Sequence, residues 1–511
     1  MSTFPIDLYH MSPQKVRSMS LDEMESLAEC IREFLIANLS KTGGHIGSNL
    51  STLHLTIALH RVFDSPSTPI IFDTGHQGLV HRILTGRAAA FPTLNSFGGM
   101  SRFLSRKDSA HDVLSASHAG TGVSTAVGLA LAMRFQGDNH PVVVVVGDGT
   151  LGEGETWEAL NYLGDTNLPV IVVINNNHFS IPPTVGAIRH LDKRIECFAN
   201  TLNMRCLRQL NGHDIPSLIS TMEIASCFTT ESPVLVHVPT EKGHGLPCAA
   251  THAYRMHFSM PFDPITGAGA SPTIPGQTYA TVAASELAAI MTIDDAVTVL
   301  TPGTPYASGL EVLKDLFPTR VIDCGMAEAH TVSMAAGLAM GGRKPVICIQ
   351  GTFLQRAWDQ VLHDVCSLDL PVTFLVVRSG FAGYDSETHH SLWDIPVLRS
   401  FPNMQLHYAM DTQDLRETLT QRLAHPEGPL ALLTPYEPVQ EPEPCIDVRY
   451  DGAGMVGISR HGTLLCLGNT LGLAHSIQER LHHGAGKDFG IAVLGRLKPF
   501  TGFDRLRRID M

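Results

Sequence analysis

A glycine-rich turn that carries an aspartate follows a strongly apolar stretch of the chain. Five valines, residues 142–146, end at Gly147, and Asp148 stands between Gly147 and Gly149. The spacing Gly147-x-Gly149-x-x-Gly152 is that of a turn that holds a pyrophosphate at a helix N-terminus. A carboxylate in this turn repels a pyrophosphate unless a cation lies between them. Magnesium fits, because it prefers oxygen ligands and bridges phosphates to one or two carboxylates.

A second polar group follows the next predicted strand. Residues 170–174 are apolar and lead into three asparagines, 175–177. A dinucleotide site has an acidic residue about 20 residues after the glycines, where it binds a ribose. An amide oxygen is instead a neutral hard donor that suits a metal. Because adjacent parallel strands end at one edge of a sheet, Asp148 and Asn177 are predicted to bind one magnesium ion together with a diphosphate.

The elements that must position these residues alternate between strand and helix. Such alternation, with fully apolar strands, predicts α/β domains with doubly wound parallel sheets. In the first half the predicted strands are 142–146, 170–174 and 233–238, and a helix is predicted at 155–163. In the second half the predicted strands are 320–324, 345–349 and 371–377, and a helix is predicted at 327–340.

A small, Gly- and Pro-rich segment at 265–276 and the Pro-rich segment at 436–444 predict linkers between domains. We expect a diphosphate- and magnesium-binding domain over 1–270, a linker over 271–290, a second α/β domain over 291–440 and a third, short α/β domain over 441–511. In this last part, strands are predicted at 464–467 and 491–494, with a helix at 474–481. The third domain looks incomplete.

Histidine is the unusual residue of this composition. The chain has 26 histidines but only 9 tyrosines. His45, His76 and His118 stand beside glycine or other small residues, and from such loops an imidazole can reach a ligand. A capping box, Ser20-Leu-Asp-Glu23, predicts the helix that leads to the loop of His45. Since histidine titrates near neutral pH, these residues are candidates for proton transfer.

The overall composition limits the function classes. A chain with 44% hydrophobic and 17% charged residues is typical of a globular enzyme, and a net charge of −13 argues against a nucleic-acid partner. The apolar runs are too short to span a bilayer, and the first 20 residues lack the apolar region of a signal peptide. Ten cysteines without a C-x-x-C pair argue against a zinc site and a disulfide framework. A cytoplasmic enzyme without a membrane partner is expected.

The Gly-Asp-Gly turn followed by a strand that ends in asparagine is the signature of thiamine-diphosphate enzymes. With further sequence blocks, the chain resembles the 1-deoxy-D-xylulose-5-phosphate synthase family of the transketolase superfamily from about residue 20 to about residue 500. The most specific blocks are Asp73-Thr-Gly-His76-Gln77, Leu84-Thr-Gly-Arg87, residues 351–364 and Asp385-Ser-Glu-Thr-His389.

The resemblance implies that thiamine diphosphate and Mg²⁺ are the cofactors. Magnesium would be bound by the side chains of Asp148 and Asn177 and by the carbonyl oxygen of Phe179. Glu328 would interact with the far ring nitrogen of the aminopyrimidine and drive it to the imino tautomer. The domain over 291–440 would bind this pyrimidine, and 441–511 would be part of a transketolase C-terminal domain. Further implied cofactor contacts are His76, His118, Gly147, Gly149, Thr150, Lys242 and Phe353.

The resemblance also implies the reaction and the residues that perform it. Pyruvate would lose carbon dioxide, and its two-carbon unit would attack an aldehyde, D-glyceraldehyde 3-phosphate in this family. The enzyme would be a transferase that works as a homodimer on these small molecules. The implied catalytic residues are Glu328, His45, His76, His257 and His389. The implied substrate contacts are His45, Ser48, Gln350, Arg356, Arg378, Asp385 and His389.

The expected phosphate pocket departs from the family pattern in two places. The family's Tyr-Pro-Arg-Gly block appears as Thr434-Pro-Tyr436-Glu437, so that tyrosine replaces arginine, and Gln350 stands where the family has tyrosine. The loss of one charge-assisted contact to phosphate costs roughly 1.5–3 kcal/mol. Three functions remain open: synthesis of deoxyxylulose phosphate with a remodelled pocket, the same ligation with a different and unphosphorylated aldehyde, or a non-catalytic subunit that binds cofactor.

Overall fold

The computed structural model describes residues 5–115, 117–383, 386–439, 446–450, 452–457 and 461–500. The chain folds into two compact units. The first unit contains residues 1–273 and 325–327, and the second contains residues 274–324 and 328–511. Part of the predicted linker at 436–444 lies outside the described ranges.

The first unit is an α/β layer structure built on a parallel sheet, as the alternation of strands and helices predicts. Its helices are α1 Pro13–Ser18, α2 Leu21–Thr42, α3 Ile46–Val62, α4 Leu79–Leu84, α5 Gly122–Phe135, α6 Gly154–Gly164, α7 Ile195–Thr201, α8 Ile215–Phe228 and α9 Pro247–Thr251. Its strands are β1 Ile70–Phe72, β2 Val142–Gly147, β3 Val170–Asn176, β4 Arg205–Arg208 and β5 Val234–Pro239. The strand order is β1-β2-β3-β5-β4, and all neighbours are parallel.

The five valines of β2 are buried because helices cover both faces of this sheet. Val143 and Val145 pack in a core with residues of α2, α3, α4 and α8. Val142, Val144 and Val146 pack in a second core with residues of α5, α6 and α7. Successive side chains of a strand point to opposite faces, so a strand that is covered on both sides is apolar throughout.

The second unit contains two sheets. Its helices are α10 Tyr279–Ile293, α11 Glu311–Leu316, α12 Glu328–Met340, α13 Gly351–Leu354, α14 Trp358–Gln360, α15 Asp394–Ser400, α16 Thr412–Ala424 and α17 Leu471–Ala485. Its strands are β6 Val297–Thr301, β7 Val321–Asp323, β8 Lys344–Gln350, β9 Thr373–Val377, β10 Gln405–Tyr408, β11 Leu430–Leu433, β12 Val448–Tyr450, β13 Ala453–Val456, β14 Thr463–Leu467, β15 Gly490–Leu494 and β16 Arg496–Lys498.

The larger sheet of the second unit has the order β16-β10-β11-β9-β8-β6-β7, in which β16 is antiparallel and the other strands are parallel. The smaller sheet has the order β12-β13-β15-β14 and lies within the segment expected to form a short third domain. Strands β14 and β15 and helix α17 match the elements predicted there.

Two helix starts show how local sequence determines these elements. The predicted capping box precedes α2, because Ser20 Oγ accepts the Glu23 N–H and the Glu23 carboxylate accepts the Ser20 N–H. Thr278 and Thr281 form a similar box before α10. Helix α10 therefore occupies much of the segment 271–290 that composition predicts to be a linker. Within the described ranges, no helix combines the length and apolarity needed to cross a membrane.

Candidate active site

Asp148 and Asn177 lie close together at the ends of adjacent parallel strands, as predicted. Asp148 follows β2 and Asn177 follows β3, and the two strands pair in a register that sets Gly147 opposite Asn175. The Asp148 carboxylate is buried, and its Oδ1 accepts the main-chain N–H of Asn177 at 3.4 Å. Two hard oxygen donors from neighbouring strands therefore lie at one edge of the sheet.

The surroundings of Asp148 are short of positive charge. Burial raises the pKa of Asp148, and the hydroxyl of Thr184, which donates to Oδ2 at 2.5 Å, opposes this shift. Lys242 also favours the charged form of Asp148, but burial lowers the pKa of its ammonium to about 7. A buried carboxylate whose lysine neighbour is partly neutral is stabilised by a further cation.

The loop after Asn177 presents the third implied ligand. Asn177 Oδ1 accepts the N–H of Phe179 at 3.0 Å, which folds the loop back onto the asparagine. Lys242 Nζ donates to the carbonyl oxygens of Phe179 at 3.3 Å and Ser180 at 2.6 Å. One carboxylate, one amide and one carbonyl oxygen, with no nitrogen or sulfur donor among the implied ligands, fit Mg²⁺.

Gly149 is required by close packing at the turn. A Cβ atom at this position would lie 2.6 Å from Cβ of Ser180 and 2.9 Å from its Cα. No larger residue fits unless the loop that carries the Phe179 carbonyl moves. The glycine therefore couples the turn after β2 to the loop after β3.

Asp73 holds the same edge of the sheet together. It is the first residue of the family-specific block Asp73-Thr-Gly-His76-Gln77, and the resemblance implies no role for it. It follows β1 and is buried. Its carboxylate accepts the N–H groups of Gly120 and Gly122 at 2.9 and 2.6 Å and the hydroxyl of Thr150 at 3.1 Å. Asp73 thus fixes the loop of His118, the start of α5 and the Gly-Asp-Gly turn. Its place directly after a strand was the signal that could have identified it.

Three of the predicted histidines form a compact group, which we call the histidine triangle: His45, His76 and His257. Their ring centroids are 4.9, 5.0 and 5.3 Å apart. The pKa of His257 lies well below its usual value, first because of burial and then because of Lys242 and the two other histidines. Ser48, an implied substrate contact, lies 3.3 Å through its Oγ from Nδ1 of His257.

A strained loop holds His257 in the histidine triangle. Arg255 and Met256 both have positive φ angles, 49° and 50°, which non-glycine residues seldom adopt. The loop is fixed against the start of α3, because Gly47 N–H donates to the Met256 carbonyl at 2.8 Å. A Cβ atom on Gly47 would lie 2.1 Å from the Arg255 carbonyl oxygen, so this approach is open only to glycine.

In the second unit, Glu328 is the first residue of α12 and is buried. Phe353 in α13 and His389 contact each other edge to face, with ring centroids 5.5 Å apart. Gln350 is the last residue of β8 and is buried, while Arg356 lies in the turn after α13. Glu328 and Gln350 are therefore presented by a helix start and a strand end, like the residues of the first unit. Asp385, which the resemblance implies as a substrate contact, lies outside the described residues.

Arg378 directly follows β9 and is buried. Its φ angle is 60°, another unusual value for a residue with a side chain. Its guanidinium carbon lies 4.0 Å from the ring centroid of Tyr436, a cation–π contact. The tyrosine that replaces the family's arginine therefore covers one face of the arginine that remains. Burial also raises the pKa of the neighbouring Glu437.

Two family models match most of the described chain. Residues 9–201 match the family model of 1-deoxy-D-xylulose-5-phosphate synthase, and residues 276–440 match that of the transketolase pyrimidine-binding domain. The 1-deoxy-D-xylulose-5-phosphate synthase of Listeria monocytogenes is 39% identical over 451 residues, which cover 85% of this chain and 74% of the relative. That of Thermomicrobium roseum is 39% identical over 468 residues, 83% of this chain and 73% of the relative.

A third relative extends the match along the chain. The 1-deoxy-D-xylulose-5-phosphate synthase of Mycobacterium ulcerans is 36% identical over 541 aligned positions, which cover 96% of this chain and 82% of the relative. The fold and the strand-end residues define an α/β protein of the transketolase type. The chain belongs to the 1-deoxy-D-xylulose-5-phosphate synthase family.

The packing of Gly149 generates a prediction. Gly149→Ala will push the loop of Ser180 away and weaken Mg²⁺-dependent binding of thiamine diphosphate by at least about tenfold, since a shift of about 1 Å in a positioned group has large effects. Calorimetric titration with the cofactor at fixed Mg²⁺ measures this.

The control for this prediction is the double variant Gly149→Ala/Ser180→Gly. It removes the two closest contacts and should restore part of the affinity. Equal affinities for Gly149→Ala and the unaltered protein would contradict the role given to this glycine.

Proposed function

We propose that this chain forms 1-deoxy-D-xylulose 5-phosphate from pyruvate and D-glyceraldehyde 3-phosphate, with thiamine diphosphate and Mg²⁺ as cofactors. The observation that carries the proposal is the buried Asp148 beside Asn177 and Lys242 at adjacent strand ends, in a chain whose relatives of that name match over 83% of its length or more. In the reaction the carboxylate of pyruvate leaves as carbon dioxide. The remaining acetyl unit forms a carbon–carbon bond with the aldehyde carbon, and one proton is taken up.

The residues of the first unit would hold the charged end of the cofactor. Asp148, Asn177 and the Phe179 carbonyl would bind magnesium, and the turn at Gly149 would lie along the diphosphate. The pKa of Lys242, about 7 in the protein alone, rises when an anion binds beside it, which makes its ammonium a partner for the diphosphate. When bound, thiamine diphosphate supplies the nucleophilic carbon and stores the electron pair that decarboxylation releases.

The remaining residues would bind substrate and move protons. The histidine triangle offers imidazoles that can donate protons to the oxygens that become negatively charged as carbon–carbon bonds form. His257 remains neutral near pH 7 because its pKa is depressed, so that it can both accept and donate. In the second unit, buried Glu328 would hold the proton that it shares with the pyrimidine ring, and Arg378 would bind an anionic group of the substrate.

Replacement of Glu328 tests the proton-holding role. Glu328→Gln should lower kcat by about 10²–10⁴-fold, the usual contribution of general acid–base groups, because an amide cannot exchange the proton. Turnover of labelled pyruvate with glyceraldehyde 3-phosphate measures the effect.

Glu311 provides the matched control for this test, since it is also the first residue of a helix of the second unit but is exposed. Glu311→Gln should retain full activity. A fully active Glu328→Gln variant would contradict the proton-holding role of Glu328. The non-catalytic alternative is correct if the unaltered protein binds the cofactor but fails to convert pyruvate with any of the aldehydes offered.

The contact between Tyr436 and Arg378 favours a second candidate function, the same ligation with an unphosphorylated aldehyde. A phosphate prefers two parallel N–H groups of a guanidinium, or two cations around it. Here an aromatic ring covers one face of the guanidinium, and Glu437 adds an acidic group next to that ring. The ring leaves the in-plane N–H groups of the guanidinium available, but the absence of the family's arginine at position 436 and the acidic Glu437 both reduce the gain from binding a phosphate dianion.

Values of kcat/KM for phosphorylated and unphosphorylated aldehydes distinguish the two candidate functions. Tyr436→Arg should improve kcat/KM for glyceraldehyde 3-phosphate by about 10- to 100-fold, the equivalent of one added charge-assisted contact, and should leave glyceraldehyde unaffected. Tyr436→Phe keeps the ring over Arg378 and is the control. The phosphate-pocket account is wrong if Tyr436→Arg changes neither value, and the first candidate is favoured if the unaltered chain already prefers the phosphorylated aldehyde.

The family resemblance also supports a cellular location and an oligomeric state. We propose that the chain acts in the cytoplasm on these small molecules and assembles as a homodimer, for which light scattering should give twice the chain mass of 55.3 kDa.

A further inference from the structure

Three histidines outside the residues discussed above lie together in the first unit. His54 is in the middle of α3, His213 lies in the turn before α8, and His244 follows β5. One ring nitrogen of each lies within 4.8 Å of those of the other two. His54 is buried, and the other two are half-buried, so an ion can reach the group from solvent. We propose that this histidine triad binds one Zn²⁺ ion or a similar divalent transition metal.

The spacing of two donors in the histidine triad matches a tetrahedral zinc site. Nδ1 of His54 and Nδ1 of His213 are 3.2 Å apart. In a tetrahedron with Zn–N bonds of about 2.0–2.1 Å, neighbouring nitrogens are about 3.3 Å apart. The distance between the two Nδ1 atoms, which a hydrogen bond bridges in the metal-free protein, is therefore close to the distance between two zinc-bound imidazole nitrogens.

A carboxylate orients the third donor. His244 Nδ1 lies 3.2 Å from Oε2 of Glu241, so that the carboxylate accepts the Nδ1–H and leaves the lone pair on Nε2. A carboxylate behind a histidine in this way fixes the tautomer and raises the basicity of a metal ligand. The ring of His244 is stacked on that of His213, with centroids 3.7 Å apart and planes inclined by only 13°, so one of the two rings must tilt out of the stack before both can direct a lone pair at one ion.

Burial and the charges around the histidine triad determine the protonation state of its imidazole rings in the absence of a metal. Burial, with contributions from the neighbouring histidines and Arg32, lowers the pKa of His54 to about 4 and of His213 to about 3. Both imidazoles are thus neutral near pH 7, and no proton has to be removed from a charged ring before a metal binds. Arg32, which is paired with Glu29, opposes a bound cation, while Glu241 favours one.

Metal binding requires a change of tautomer at His213 as well as the tilt of the stacked rings. His213 Nε2 accepts the main-chain N–H of Glu241 at 2.9 Å, so the proton of the free ring lies on Nδ1, between His213 and His54. To bind zinc through Nδ1, His213 must move this proton to Nε2 and release the Glu241 bond. Loading therefore shifts the segment that also carries Lys242, although the two metal sites have different donors.

The donor types separate the histidine triad from the site at Asp148. Imidazole nitrogens suit zinc and neighbouring transition metals, whereas the carboxylate, amide and carbonyl oxygens at Asp148 suit magnesium. Zinc binding in the presence of excess Mg²⁺ therefore reports on the triad.

The test uses the full chain without a histidine tag, held in excess Mg²⁺, titrated calorimetrically with Zn²⁺ and spectroscopically with Co²⁺. We expect one equivalent to bind, with the visible absorption of tetrahedral Co²⁺. His213→Asn and His244→Gln should each weaken binding by at least about tenfold, and Glu241→Gln by about 10- to 100-fold.

Two controls keep this outcome decisive. His140→Asn replaces an exposed histidine that is also paired with a carboxylate and should bind zinc like the unaltered chain, and Asp148→Asn should too. His213 and His244 lie in loops, so their variants test the site without a substitution in α3. The proposal is wrong if the loop variants keep full affinity, if excess Mg²⁺ abolishes zinc binding, or if Asp148→Asn removes it. None of these results depends on the proposed enzyme activity.

Discussion

The burial of one carboxylate at the end of a fully apolar strand is the constraint on which the site of the first unit depends. Asp148 cannot be ionised there at low cost without a cation, because desolvation raises its pKa. The partners within reach are a hydroxyl, a main-chain N–H and an ammonium whose own pKa is depressed. We propose that a divalent ion and the anion that accompanies it complete this site. The sheet supplies the rigidity, since β2 and β3 are buried on both faces.

Around this carboxylate, the loops are joined by polar contacts at the strand ends. Asp73 ties the turn after β2 to the start of α5, and Gly149 lets the loop after β3 come within contact distance. The histidine triangle is built differently. Its members come from distant parts of the chain, and two consecutive residues with positive φ, Arg255 and Met256, hold His257 in place. Backbone strain of this kind persists only where the surrounding packing over-determines the conformation.

The two proposed cation sites use different sets of donor atoms. Oxygen donors follow β2 and β3, whereas nitrogen donors gather where α3 meets the loops before α8 and after β5. In the second unit the proposed anion-binding group is Arg378, whose guanidinium contacts the ring of Tyr436. The proposed change of substrate preference would therefore need only one side chain, because Tyr436 brings no positive charge to the guanidinium of Arg378.

The sequence by itself determined the α/β class, the strands on either side of Asp148 and the meeting of Asp148 with Asn177, because apolar runs and parallel strand ends are local signals. The family resemblance named the histidines but not their mutual distances. Tertiary structure alone decided that three of them form a triangle and that Tyr436 stacks on Arg378. Those outcomes depend on contacts between residues far apart in the chain, and periodicity and composition carry no information about such contacts.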